Sequence, residues 1–242
     1  MTDDRSFSVE PAAIEARRAK IHSTIARDLG IAIVGGKFLP GEALPAESRS
    51  SSDLSISRGA YREAVRTLAA KGLVESRTKS GTRVTDRQRW NMLDLDVLAW
   101  MFVAGPSDEF VRSIFELRMI VEPQAAALAA RRRTGAELSR MGHALEEMGR
   151  LGLETPAGRA ADEAFHHIIL EATHNEPLIT LSNSIAAAVK WTTIYARRNR
   201  TDLRDPLPDH RSLYESIADG DAAGARAKMT ELVERALGDT GL

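Results

Sequence analysis

The chain of 242 residues contains no cysteine. That excludes disulfides, thiolate metal sites and a cysteine nucleophile, and it fits a reducing cytoplasm. Aromatic residues are scarce at 5%, while Ala, Leu and Arg are plentiful, a balance that favours helix. No apolar run reaches the ~20 residues of a membrane span, so no membrane partner is expected. The opening MTDDRSFSVE is acidic and polar, which does not read as a secretory signal. Net charge is also lacking, at −1 overall. The balance hides an asymmetry: residues 1–87 hold 15 basic and 11 acidic residues, the remainder 18 and 23. A basic front and an acidic back suggest two jobs, the alternative being a chance distribution. The length suffices for two domains.

Punctuation and periodicity divide the chain further. Residues 1–13 read as a disordered N-terminus. Ile21, Ile25, Leu29 and Ala32 fall at helical spacing and predict a helix from Ile14 to Val34, stopped by Gly35-Gly36. The turn-rich connector FLPGEALPAE leads to a short second helix from about Pro45 to Asp53. Ser55 or Ser57 can cap a third helix ending near Lys71-Gly72. LVESRTKSGTRVT then reads as a hairpin around Lys79-Ser80-Gly81. Residues 88–106 form an apolar junction with a short helix, rich in Trp and Leu. From Ser107 onwards only helix is expected. Pro123 should bend or interrupt the first helix there, and Thr134-Gly-Ala-Glu137 opens the next as a capping box. Thr155 and Asn175 precede two more, the latter a long helix to Asn199, and Asp209–Asp219 and Asp221–Leu237 close the set. The predicted fold class is therefore mostly α. A winged helix-turn-helix occupies 14–87, and an all-α antiparallel bundle occupies 107–238.

The third predicted helix carries Arg58, Arg62 and Arg66 at intervals of four. Those side chains lie within ~80° of one another on a helix of ~3.6 residues per turn. Tyr61, Ala64, Val65 and Leu68 form a separate apolar arc. In a winged helix-turn-helix the last helix enters the major groove, and the hairpin tip reaches the neighbouring backbone or minor groove. Arg58, Arg62 and Arg66 would then meet phosphates and guanine edges, while Tyr61 (also counted with the DNA-binding residues), Val65 and Leu68 hold the helix on its scaffold. The bland alternative is a solvated Arg face on an ordinary helix. The basic hairpin residues Arg77, Lys79 and Arg83, directly after it, favour double-stranded DNA.

These stretches together resemble the GntR family of bacterial transcription regulators, in the subgroup with an all-helical FCD effector domain. The likeness runs through GGKFLPGEALPAE, SRGAYREAVRTLAAKGLVESRTKSGTRV, ELRMIVEPQAAALAA, DEAFHHIILEATHN and DHRSLYESIADGDAAGARAKM. It implies a cytoplasmic homodimer that binds operator DNA and answers to a small-molecule effector. It places Arg58 and Arg62 at base edges, and Lys79, Ser80 and Gly81 at the wing tip. Ser57 stands at the start of the recognition helix and Arg49 is the nearest basic residue on the second helix. Ser48 takes the place of a DNA-contacting Arg in some members, and Ser50 that of a core Leu.

For the effector domain the residues alone leave the chemistry open. Asp162 and His166 are i and i+4 on one helix and face the same way. That spacing suits a divalent metal, yet a surface pair or a core histidine explains it as well. The resemblance implies that Asp162, His166 and His210 are three of the four metal ligands of many FCD domains, with zinc the expected ion. The usual fourth, a histidine, is Leu232 here. Arg118 is the expected clamp for an effector carboxylate, the alternative being an intrahelical pair with Glu122. Trp191 shares a helix face with Tyr195 and could stack on a sugar-like ligand; core packing competes. The expected function is a repressor released from DNA by a small carboxylate such as an aldonate. The rivals are a metal-dependent hydrolase built on Asp162, His166 and His210, and an effector-blind DNA-binding protein.

Overall fold

The computed structural model describes residues 11–45, 58–77, 81–199 and 204–242. The chain divides into two units, Met1–Gly105 and Pro106–Leu242.

In the first unit, helix α1 spans Pro11–Val34. It begins three residues before the expected start, so residues 11–13 are helical rather than disordered. Proline suits a first turn because its missing N–H would find no intrahelical partner there. Gly36 at φ +80° ends the helix, and Lys37 N–H closes back on Ala32 O at 2.8 Å. Helix α2 spans Arg58–Ala70. Its buried Ala60, Tyr61 and Ala64 pack on Ile25 and Ala26 of α1. The predicted second helix, with Arg49, the capping Ser57, and the wing residues Lys79 and Ser80, lies outside the described residues.

Strands β1, Val74–Arg77, and β2, Gly81–Val84, pair antiparallel with Val74 opposite Val84 and Arg77 opposite Gly81. The connector ahead of the second predicted helix is more than a turn. Ala43 bridges Arg83, Leu44 N–H donates to Thr82 O at 2.9 Å, and Val84 N–H donates to Glu42 O at 2.9 Å. The hairpin edge is thus covered by a third extended segment.

Helix α3 spans Leu95–Ala104 and is capped by the Asp94 side chain. Lys71 bridges Asp94 at 2.7 Å and Asp96 at 2.8 Å, tying the end of α2 to the start of α3. Trp100 of α3 lies against Gly30 of α1 so closely that a Cβ there would stand 2.2 Å from its ring. The apolar junction therefore belongs to the first unit as a packed helix.

The second unit is helical throughout its described residues. Helix α4 spans Asp108–Arg132, with the Ser107 hydroxyl accepting from Phe110 N–H. Pro123 sits inside it without the expected break, because its ring is buried on a face held by neighbouring helices. Helix α5, Gly135–Leu151, opens on the predicted capping box of Thr134 and Glu137. Helix α6, Pro156–Glu171, is capped by Thr155 and packs on both α5 and α8. The expected long helix from Asn175 is two: α7, Glu176–Thr180, and α8, Ser182–Asn199. The break falls where Leu181 N–H turns to Leu178 O, a tighter i→i+3 bond that ends α7. Helices α9, Leu207–Ala218, and α10, Ala222–Gly238, pack on each other, and α10 lies along α4.

Candidate functional site

On α2 the structure separates the two arcs that the sequence suggested. Arg58, Arg62 and Arg66 are exposed, while Tyr61, Ala64 and Leu68 are buried. Tyr61 is buried with the apolar arc. Its hydroxyl donates to Pro45 O at 2.7 Å, which anchors the helix to the preceding segment. Arg66 pairs with Glu63 at 2.6 Å on the open surface, an interaction too solvent-exposed to hold it against a phosphate. Gly81 opens β2 at φ +75°, a left-handed conformation that favours glycine.

Four helices of the second unit converge on a buried polar cluster. Helix α4 supplies Arg118 and Glu122, one turn apart and only 2% and 0% exposed. Helix α6 supplies Asp162 and His166, also one turn apart, and α9 supplies His210 in its first turn. Helix α8 supplies Thr192 and Thr193. Arg118 Nε donates to Glu122 Oε1 at 2.6 Å, and its Nη1 donates to the Thr192 hydroxyl at 2.9 Å. The guanidinium also stands 5.1 Å from the Phe115 ring centre. So the intrahelical Arg118–Glu122 pair exists, and Arg118 still lines the cavity beside the cluster.

The carboxylates are held charged. Burial pushes the Glu122 carboxyl up, but the Arg118 charge and then His166 outweigh it and bring its pKa to about 2. Burial also opposes charge on Asp162, yet the His210 hydrogen bond and charge leave it below the usual carboxylate range. For His210, burial disfavours the cation, and the Asp162 hydrogen bond and charge more than reverse this, raising it above the ordinary imidazole value.

Asp162, His166 and His210 each offer one ligand atom, all within 4.8 Å of one another, and all three are buried. The outer ring nitrogens explain how the inner ones are aimed. His210 Nδ1 faces Pro206 O at 2.8 Å, an oxygen that only accepts, so Nδ1 carries the proton. His166 Nδ1 lies in close contact with the Glu122 carboxylate, off the line of an ideal hydrogen bond. Both Nε2 atoms then face Asp162 Oδ1, at 3.1 Å from His210 and 3.6 Å from His166. His166 Nε2 is buried with no hydrogen-bond partner. An imidazole oriented by an outer oxygen, with its inner nitrogen unsatisfied, is the arrangement that suits a metal ligand. The donor set of one carboxylate and two imidazoles therefore fits a divalent ion of the zinc type.

The cavity over this cluster has about 50 Å³ of room for water centres. That is space for roughly three to five waters. Thr193, Ala196 and Leu232 contribute to its wall. Leu232, in place of the fourth ligand, closes that side with apolar surface. Trp191 is not among the residues that line it. The α8 turn that faces the cluster presents Thr192, Thr193 and Ala196 instead. Sequence reasoning missed the two threonines, Arg204 and the contact of Glu122 with His166. The last was within reach, since Glu122 is i+4 from Arg118; the threonines depend on the crossing of α8 with α6, and Arg204 on the segment between α8 and α9.

Comparison with known proteins adds a second line of evidence. Residues 21–84 match the bacterial regulatory proteins of the gntR family, and residues 113–235 match the FCD domain. The chain is 34% identical over 200 residues to the galactonate operon transcriptional repressor of Escherichia coli (strain K12), covering 81% of this chain and 86% of that protein. The HTH-type transcriptional regulator LutR of Bacillus subtilis (strain 168) is 31% identical over 202 residues, 81% of this chain and 90% of that one. Among solved structures, Lar, which controls the Listeria monocytogenes agr system, aligns with TM-score 0.63 at 20% identity. It covers 93% of this chain and 96% of the other, a likeness of fold. Both matched domains are regulatory, and the hydrolase alternative finds no support. The protein belongs to the GntR family, in the branch with an FCD effector-binding domain, and is a DNA-binding transcription regulator rather than an enzyme.

Proposed function

We propose that the protein is a repressor released from its operator by a small carboxylate of the sugar-acid class, with a divalent metal, zinc foremost, in its effector domain. The observation that carries this reading is the placement of buried Arg118 beside the Asp162, His166 and His210 cluster on one cavity. A guanidinium and an open metal position are both complementary to a carboxylate. When bound, the ion would be held by Asp162, His166 and His210 and would supply a Lewis-acid contact for the effector's oxygens. Arg118 would orient the carboxylate, and the Thr192 and Thr193 hydroxyls would meet hydroxyl groups next to it. The similarity to a galactonate operon repressor supports a sugar acid over other carboxylates.

The head works by complementarity to duplex DNA. Arg58, Arg62 and Arg66 meet the major groove, and the wing around Gly81 meets the backbone beside it. A homodimer in the cytoplasm would set two such heads ~34–36 Å apart on a near-palindromic site. The effector favours the arrangement of heads that does not fit this spacing, and it can do so only by its difference in affinity for the two arrangements.

Thermal shift against a panel of sugar acids, with and without a chelator, tests the reading. A rise in melting temperature with an aldonate, reduced by chelator, supports it. A silent panel favours an effector-blind regulator.

A further inference from the structure

The cavity over the metal cluster is too small for a whole sugar acid, and it does not stand alone. A second hollow, with about 300 Å³ of room, adjoins it. The two share Leu153, Arg197, Arg204 and Pro206 in their walls. The outer hollow adds Glu154 and Asp205, so it presents carboxylates as well as guanidinium groups.

The Arg204 charge at this shared wall is already balanced. Arg204 pairs with Asp209 through Nη1 and approaches Asp239 at 3.3 Å through Nε. Asp209 is also held by Arg235 at 2.5 Å. A second anion on the ligand would find Arg204 neutralised and would face Glu154 and Asp205 nearby. Hydroxyl groups suit the same wall, because they donate to carboxylates and accept from guanidinium groups.

We propose that the outer hollow is a tail subsite that selects a long, hydroxylated, singly charged acid. Arg204 and Arg197 are its specificity residues. This rests on the carboxylate-binding reading of the inner cluster and deepens it. The head of the ligand occupies the inner cavity at Arg118, Asp162, His166 and His210. Its polyol tail passes Thr193 and Ala196 into the outer hollow. A three-carbon acid such as glycerate fills only the head position. A six-carbon aldonate fills both. A six-carbon dicarboxylate brings its second charge against Glu154 and Asp205.

Calorimetric titration of the zinc-loaded full chain with glycerate, galactonate and galactarate tests this. Galactonate is expected to bind at least tenfold more tightly than both others, the difference of about one charge-assisted hydrogen bond. Arg197→Ala and Arg204→Gln should bring galactonate down toward glycerate, weakening galactonate at least several-fold more than glycerate. Glu154→Gln with Asp205→Asn should raise galactarate selectively. Arg197 is only partly buried, so its variant keeps the test open if Arg204→Gln disturbs the ion-pair network. If the acids bind with no dependence on length or second charge, or if the Arg variants weaken all of them alike, the tail subsite is overturned. If none binds, the carboxylate reading fails first and the subsite falls with it.

Discussion

Replacing Arg118 with Met removes the positive charge from a pair that is 2% and 0% exposed. Glu122 is then left as a buried carboxylate with His166 as its nearest charge partner. Breaking a buried ion pair by deleting one partner costs about 3–5 kcal/mol, because the surviving charge has lost both water and its counterion. Replacing both members by apolar residues of similar size is far less costly and is often neutral. The double variant Arg118→Met with Glu122→Leu should therefore recover most of the loss and unfold within about 1–2 kcal/mol of the wild type. Urea denaturation of the three proteins measures this directly. The same proteins separate folding from binding, since the recovered double variant should still show no thermal shift with an aldonate. A double variant as unstable as Arg118→Met alone would refute the buried-pair argument. A double variant with an intact aldonate shift would remove Arg118 from the effector site.

The remaining predictions address the DNA head, the packing of the first unit, the acid limit and the metal. Arg58→Ala and Arg62→Ala should each weaken binding to the cognate duplex by about 1–3 kcal/mol and leave circular dichroism unchanged, as read by fluorescence anisotropy against random duplex. Gly30→Ala should lower the unfolding free energy of the first unit by about 1–3 kcal/mol, because its Cβ would stand 2.2 Å from the Trp100 ring; an unchanged stability in urea denaturation would contradict the observed packing. Glu122 is lowered to about 2 in the fold from 4.5, so its contribution is full above about pH 4.5 and is lost as pH falls toward 2. Acid titration monitored by denaturation should show that loss, and Glu122→Gln should flatten the slope. Leu232→His should tighten zinc at least tenfold in competition with a chromogenic chelator, since Leu232 lines the cavity beside the three ligands; unchanged affinity would place the ion elsewhere.

How much of this was legible in the sequence follows from how local each signal is. Helix caps at Ser107, Thr134, Thr155 and Asp221 were readable because a cap is written within four residues. The two arcs of α2 were readable from periodicity, with Tyr61 buried on the apolar one. The pairing of Ala43 with Arg83 was not readable, since it joins residues forty apart through backbone atoms that no side-chain pattern marks. Pro123 does not interrupt α4, because the one helical hydrogen bond a proline costs is offset by packing of α4 against its neighbours. At the site, the i and i+4 pairs Arg118 with Glu122 and Asp162 with His166 could be seen on single helices. Their convergence with His210, and the choice of Thr192 and Thr193 over Trp191, depended on how four helices cross. The resemblance to the GntR family supplied that convergence before the geometry did.

The most direct test of the account titrates galactonate into the protein bound to a duplex from its own promoter, with wild type and the double variant Arg118→Met with Glu122→Leu side by side. Anisotropy should show preference for that duplex over random sequence in both proteins, and release by the acid in the wild type alone. Equal release from both proteins, or no preference for the promoter duplex in either, would contradict it.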